Sequence, residues 1–148
     1  MSVDPDWRPP SAMLIVQRGL LYFAVVFGAG FLLGPIRVLW LAPRLGERSA
    51  ELIEAPFMLL VIGLSSRWMA RRVCRHWSTG ALAAVGVLAA AAVLVADVAV
   101  GLWLRGMSVA QVFLQRDPVS GTVYYALVLC MALAPLLWGR RGKSPELP

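Results

Sequence analysis

The sequence is poor in the side chains that most often carry chemistry. It contains one histidine, His76, and two cysteines, Cys74 and Cys130, among 148 residues. A single histidine excludes bis-histidine haem ligation within one chain and a histidine-rich metal site. The cysteines are not spaced as C-x-x-C, so dithiol redox chemistry has no support. No catalytic triad, paired catalytic carboxylates or phosphate loop can be assembled, so the sequence predicts neither an enzyme nor a cofactor.

Charged residues are also scarce. They make up 15% of the chain, whereas 59% is hydrophobic and the mean hydropathy is +0.73. A soluble domain is about a quarter charged, and a chain with this composition could not cover its apolar surface in water. The formal net charge is +6, but the basic residues lie beside apolar runs. They therefore predict contact with anionic lipid headgroups and not with nucleic acid.

Four apolar runs are long enough to cross a bilayer, which takes about 20 helical residues. They cover about 19–42, 54–73, 80–104 and 121–139. The sequence therefore predicts an all-α fold: a single domain over 1–148 that forms a polytopic bundle of four transmembrane helices. Ser49 is a candidate N-cap for the second helix, and Ser108 for a short interfacial helix over 108–116 that Asp117-Pro118 would end.

The distribution of basic residues predicts the orientation. Nine of them fall on the side that holds both termini and the 67–77 loop, and five fall on the other side. The positive-inside rule places the first side in the cytoplasm. The tryptophans agree, because each falls at an expected membrane interface: Trp7, Trp68, Trp77 and Trp138 on the inner side, Trp40 and Trp103 on the outer side.

Three ionisable residues, Arg37, Glu54 and Asp97, lie inside or at the edge of the spans. A charge at the helix centre costs about 2.5–3.5 kcal/mol on insertion scales, so it tends to face protein or water and to have a partner. All three lie at similar depth toward the outer side, with Glu51 one turn further out than Glu54. We expect them to form an ion cluster. It could lock the helices, bind a proton or ion, or meet a partner protein.

Small residues share the helix faces that carry these charges. Arg37 follows the motif Gly30-x-x-x-Gly34, and Asp97 shares its face with Gly86, Ala90 and Gly101. Such faces allow another helix to approach closely, so both charges are predicted to point toward helix contacts. Pro35 interrupts the first span and predicts a kink.

The loop between the second and third spans is dense in arginine. It carries Arg67, Arg71, Arg72 and Arg75 beside two tryptophans. A topology anchor that binds anionic headgroups explains this composition. Docking of an acidic partner protein is the alternative.

Two segments carry a resemblance to a known kind of protein. The first segment is Gly34-Pro35-Ile36-Arg37, and it continues at Ala42-Pro43-Arg44-Leu45-Gly46-Glu47. The second segment is Arg116-Asp117-Pro118-Val119-Ser120-Gly121-Thr122-Val123-Tyr124. Both segments are similar to small four-span inner-membrane proteins of proteobacteria that have no assigned activity. The resemblance implies a location in the bacterial inner membrane. It implies no activity.

Three functions stay open at this point. A structural or accessory subunit of a membrane assembly, with other membrane subunits or a second copy as partner, is favoured by the short loops and small-residue faces. A small transporter or channel that uses Arg37, Glu54 and Asp97 is the second. A membrane enzyme that acts on lipid is the third.

Overall fold

The computed structural model describes residues 9–104, 106–114 and 117–141, and the regular secondary structure in these ranges is helical. Five residues that entered the orientation and interface predictions lie outside the described residues: Trp7, Arg8, Arg105, Arg116 and Lys143. The elements in chain order are α1 (Ala12–Ile36), a π-helical turn (Arg37–Leu41), α2 (Ala42–Leu45), α3 (Glu47–Trp68), a second π-helical turn (Met69–Val73), α4 (Thr79–Leu104), α5 (Val109–Leu114) and α6 (Pro118–Arg141).

Four helical stretches are long and apolar enough to cross a membrane, as predicted. They are Ala12–Leu45, Glu47–Val73, Thr79–Leu104 and Pro118–Gly139. The first begins earlier than expected, because Ser11 Oγ accepts the backbone N–H of Leu14 at 3.4 Å and caps the helix. This stretch therefore includes residues that the hydropathy pattern had placed before the membrane.

The second long helix also begins earlier than predicted. Gly46, with φ of 82°, ends α2 and directly precedes Glu47, the first residue of α3. A positive φ costs glycine little because it has no Cβ. Residues 47–53 are therefore helical and not a loop, and the prediction of Ser49 as N-cap was wrong, since Ser49 lies inside α3.

Ser108 and Asp117 cap two successive helices. The Gln111 backbone N–H donates to Ser108 Oγ at 3.3 Å, and the Ser108 N–H donates to Gln111 Oε1 at 2.7 Å. This reciprocal capping box confirms Ser108 as the cap of α5. Asp117 Oδ1 accepts the N–H groups of Val119 and Ser120 at 3.0 and 3.2 Å. Asp117 therefore opens α6, so its predicted role as a terminator of α5 needs correction.

Pro35 lies inside α1, and the backbone changes to π-helical hydrogen bonding two residues later. The N–H of Ala42 donates to the carbonyl of Arg37, five residues back. Proline supplies no N–H and crowds the preceding turn, which explains an irregularity here. π-Helical turns of this kind are frequent at functional sites.

The four long helices form a ring in which α1 and α6 each pack against both α3 and α4. The centre holds the buried side chains Tyr22, Val26, Ile62, Met69, Val85, Ala89 and Met131. The Tyr22 hydroxyl crosses it and donates to the carbonyl of Met131 at 3.3 Å. This bond satisfies a buried phenol and links α1 to α6 across the ring.

Small residues set the closest helix contacts. A Cβ on Gly86 would clash with the carbonyl oxygen of Ala132, so α4 and α6 approach to backbone distance there. Ala90, one turn along α4, is buried. Gly101 meets Val112 of α5. These contacts place the small-residue face of α4 between helices.

The predicted small-residue pair on α1, Gly30 and Gly34, makes no comparably close helix contact with other described residues. A Cβ on Gly30 would lie 3.5 Å from Met58 Cε of α3, an ordinary contact. A Cβ on Gly34 would meet nothing within 4 Å. Half of the Gly30-x-x-x-Gly34 motif is therefore left uncovered within the described part of this chain.

Gly86→Ala should destabilise the bundle. The added methyl group collides with backbone and not with a flexible side chain, so the helices must shift, at a cost of about 1–3 kcal/mol. We expect a lower thermal midpoint in mild detergent. Gly63→Ala is the matched control, because a Cβ there meets nothing within 4 Å and alanine favours helix. Equal midpoints for the two variants would contradict the close α4–α6 contact.

Candidate functional site

The charged residues at one end of the bundle form a cluster between the first π-helical turn and α3. Glu51 and Glu54 are three residues apart and so share a face of α3. Arg37 Nη1 lies 3.5 Å from Glu51 Oε1 and 3.3 Å from Glu54 Oε2. We call these three residues the Arg37 cluster. The π-helical turn, which begins at Arg37, places one nitrogen of its guanidinium between both carboxylates.

Two carboxylates share one guanidinium in the Arg37 cluster. The side chains are 24%, 20% and 14% exposed for Arg37, Glu51 and Glu54, so the cluster is partly withdrawn from solvent. Glu54 Oε2 is buried and accepts no hydrogen bond from the described residues, although it lies within ion-pair distance of Arg37. A buried charge without full pairing is costly. The cluster therefore has an unmet acceptor and an excess of acid.

The third predicted member of the cluster, Asp97, lies on α4. Among the described residues, the ion pairs of Arg37 are with Glu51 and Glu54. Asp97 is half-buried on α4, whereas the two glutamates lie on α3. The structure pairs Arg37 with Glu54 and with Glu51, and the inclusion of Asp97 in the cluster stays a prediction.

A second ion pair at the same end was missed by the sequence reasoning. Arg48 Nε lies 2.9 and 3.0 Å from the two carboxylate oxygens of Asp117, and Arg48 Nη2 lies 2.6 Å from Oδ2. This bidentate pair joins the start of α3 to the start of α6. The Arg48 guanidinium lowers the pKa of Asp117 to about 2, mainly by donating hydrogen bonds to its charged form. The sequence did offer one signal for this pair, because Arg48 and Asp117 carry opposite charges and both lie near predicted outer ends of helices.

The arginine-rich loop forms the other end of the bundle. The guanidinium carbons of Arg67 and Arg71 lie 5.2 and 5.5 Å from the ring centre of Trp138, within cation–π range. Arg72 and Arg75 are exposed. Trp68, Trp77 and Trp138 occupy this end, whereas Trp40 and Trp103 lie at the end of the Arg37 cluster. The two predicted tryptophan levels thus correspond to opposite ends of the helices.

The cysteines have unequal surroundings. Cys74 is 1% exposed, and burial raises the pKa of its thiol to about 11. It is therefore protonated at neutral pH and is a poor nucleophile. Cys130 is exposed on α6. No group of three metal-binding side chains occurs within residues 9–104, 106–114 and 117–141.

Comparison with protein-family models, curated proteins and solved structures found no match to this chain. The resemblance to four-span proteobacterial proteins therefore stays a prediction. The class that the fold defines is an all-helical protein with four helices able to span a membrane. Any assignment of function depends on the geometry of the two charged ends.

Arg37→Met should destabilise the protein, because it leaves the carboxylates of Glu51 and Glu54 facing each other without a cation. We expect a loss of about 1–3 kcal/mol, below the value for fully buried pairs because the cluster is partly exposed. The thermal midpoint in detergent measures it. Adding Glu54→Gln should recover part of the loss, as coupled residues do.

Arg44→Met is the matched control for Arg37→Met. It removes an arginine at the same end whose guanidinium lies 5.9 Å from the Trp40 ring centre. Its midpoint should stay near that of the wild type. A similar loss for both variants would show that net charge, and not the Arg37 cluster, is what matters.

Asp117→Asn should remove an acid-sensitive part of the stability. Asparagine still caps a helix, but it cannot pair with Arg48. Because the pKa of Asp117 is lowered to about 2 from an unfolded value of about 4, the ion pair stabilises the folded state above about pH 4. This stabilisation is lost as the pH falls through about 2.

The measurement is the thermal midpoint of both proteins from pH 7 to pH 2. We expect the wild type to be modestly more stable at pH 7, since exposed pairs contribute little, and the difference to close in acid. Glu47→Gln, at an exposed neighbouring carboxylate, controls for loss of negative charge. A difference that widens in acid would contradict the assignment.

Proposed function

We propose that this protein is a non-enzymatic multi-pass protein of the bacterial inner membrane that serves as a structural or accessory subunit of a membrane assembly. In this proposal both termini and the arginine-rich end face the cytoplasm, as the excess of basic residues predicts. The Arg37 cluster then lies toward the outer side. A helix of a partner subunit, or of a second copy, packs beside it.

The observation that supports this proposal most is the uncovered surface of α1 next to the Arg37 cluster. A methyl group added at Gly34 would have no neighbour within 4 Å, although small residues on membrane helices typically mark helix contacts. The same stretch of chain also lines an apolar groove of about 350 Å³, formed by Pro35, Ile36, Leu39 and Trp40. Both features leave surface of this stretch open to a partner helix.

The Arg37 cluster adds a polar reason for a partner at the same place. Its single guanidinium serves two carboxylates, and Glu54 Oε2 accepts no hydrogen bond from the described residues. A donor on an incoming helix would satisfy this oxygen. Interhelical hydrogen bonds of this kind contribute about 1 kcal/mol in membranes and specify the pairing of helices.

The transporter alternative places the transport site at the intramembrane charges. Transport sites usually lie near the midplane, whereas the Arg37 cluster lies toward one end. The accessory role is therefore the better-supported candidate.

Purification from native membranes in mild detergent, with quantitative mass spectrometry, tests the proposal. We expect one membrane protein, or a second copy of this chain, to accompany it in near-equimolar amount. Gly34→Leu should abolish this association by blocking the close approach. Gly63→Leu, at another open glycine on a different helix, should retain it.

Isolation as a lone monomer would overturn the accessory role, as would equal association of the two leucine variants. A lone monomer whose Asp97→Asn variant loses ion flux in liposomes would establish the transporter instead. Both leucine variants should keep the wild-type thermal midpoint, because neither added side chain meets a neighbour at its Cβ.

A further inference from the structure

A cavity lies where the arginine-rich loop meets the start of α4 and the end of α6. Its volume is about 370 Å³, within the usual range of ligand sites, about 300–1,000 Å³. Its walls include Arg71, Arg75, His76, Trp77 and Trp138. We call it the arginine–tryptophan cavity. It belongs neither to the Arg37 cluster nor to the groove beside Gly34.

Positive charge is concentrated at this cavity without acid from the surrounding helices. The sequence has no aspartate or glutamate between Glu54 and Asp97, and none over 118–141. The guanidinium groups of Arg67 and Arg71 nevertheless both lie over the indole ring of Trp138. Two like charges beside one ring repel each other, and an anion placed beside them would lower this repulsion. The described helices around the cavity therefore contribute arginines and no carboxylate.

The lining narrows the chemistry of that anion. Arginine forms paired, charge-assisted hydrogen bonds with phosphate, and an indole N–H can donate only. Leu82 and the indole rings supply apolar walls beside these donors. A ligand with an anionic phosphate next to an apolar body matches this arrangement.

Position identifies the source of the phosphate. The cavity lies at the ends of helices that are long and apolar enough to span a bilayer, so in a membrane it opens at the level of the headgroups. Clusters of arginine at that level attract anionic lipid. We propose that the arginine–tryptophan cavity binds a phosphate group, and that the phosphodiester of an anionic phospholipid supplies it. The proposal depends on membrane insertion and is independent of the accessory role.

The test uses the full chain in detergent, equilibrated with equal amounts of phosphatidylglycerol and phosphatidylcholine and examined by native mass spectrometry. The wild type should retain one phosphatidylglycerol in preference to phosphatidylcholine. Arg71→Gln should weaken this retention roughly tenfold, which corresponds to the loss of a charge-assisted hydrogen bond of about 1.4 kcal/mol. Arg75→Gln should weaken the retention similarly. Because Arg75 lies in a turn outside the helices, its substitution tests the site independently if Arg71→Gln fails to fold.

Arg72→Gln is the matched control. It removes the same charge from the same π-helical turn, but Arg72 does not line the cavity. Its retention of phosphatidylglycerol should stay within about twofold of the wild type, as expected for a screened, non-contacting charge. An equal loss in Arg71→Gln and Arg72→Gln would overturn the site, because binding would then depend only on net charge. Absence of preference for phosphatidylglycerol would overturn it as well.

Two competition arms separate the possible sources of the anion. Inorganic phosphate should displace the lipid only weakly, because it offers no apolar body. Displacement at equal or lower concentration would overturn the lipid assignment in favour of a soluble phosphate. Displacement by a glutamate-rich peptide with similar efficiency would overturn the proposal, and would identify the cavity as a docking site for an acidic protein segment.

Discussion

The close approach of α4 and α6 at Gly86 is the constraint on which the rest of the structure depends. Lipid tails are as apolar as leucine, so burial of apolar surface gives membrane helices little reason to associate. Contact must come from dispersion and backbone proximity, and Gly86 allows α4 to reach the Ala132 carbonyl. That contact fixes the distance between the helix ends, where Leu82 meets Gly139 beside the arginine–tryptophan cavity.

The polar groups at the two ends of the bundle are paired in different ways. At one end three ion pairs connect α3 to the first π-helical turn and to α6: Arg37 with Glu51, Arg37 with Glu54, and Arg48 with Asp117. At the other end arginines stack on Trp138 with no carboxylate from the described flanking helices. One end therefore pairs arginines with carboxylates of the described helices, whereas the described helices at the other end supply arginines and no carboxylate. This difference is the physical basis for assigning protein contacts to the first end and lipid phosphate to the second.

Hydropathy and helix-face periodicity predicted the four spans, the cap at Ser108 and the small-residue face of α4. These features depend on residues close in sequence. The order of the helices in the ring does not depend on local sequence, and neither does the ion pairing of Arg37 with two glutamates of α3. The Arg48–Asp117 pair spans 69 residues, and no local pattern connects its members. The early start of α3 was missed because polar residues 47–53 resemble a loop, although a helix can continue beyond the bilayer edge.

The orientation of the bundle is the central claim, because it decides which end meets the cytoplasmic leaflet. Labelling of single cysteines with a membrane-impermeant maleimide in intact bacterial cells tests it most directly, in a Cys74→Ala, Cys130→Ala background. Ala110→Cys, exposed on α5, should be labelled in intact cells. His76→Cys, exposed in the arginine-rich loop, should be labelled only after the cells are permeabilised. The reverse pattern, or equal labelling of both positions in intact cells, would contradict the account.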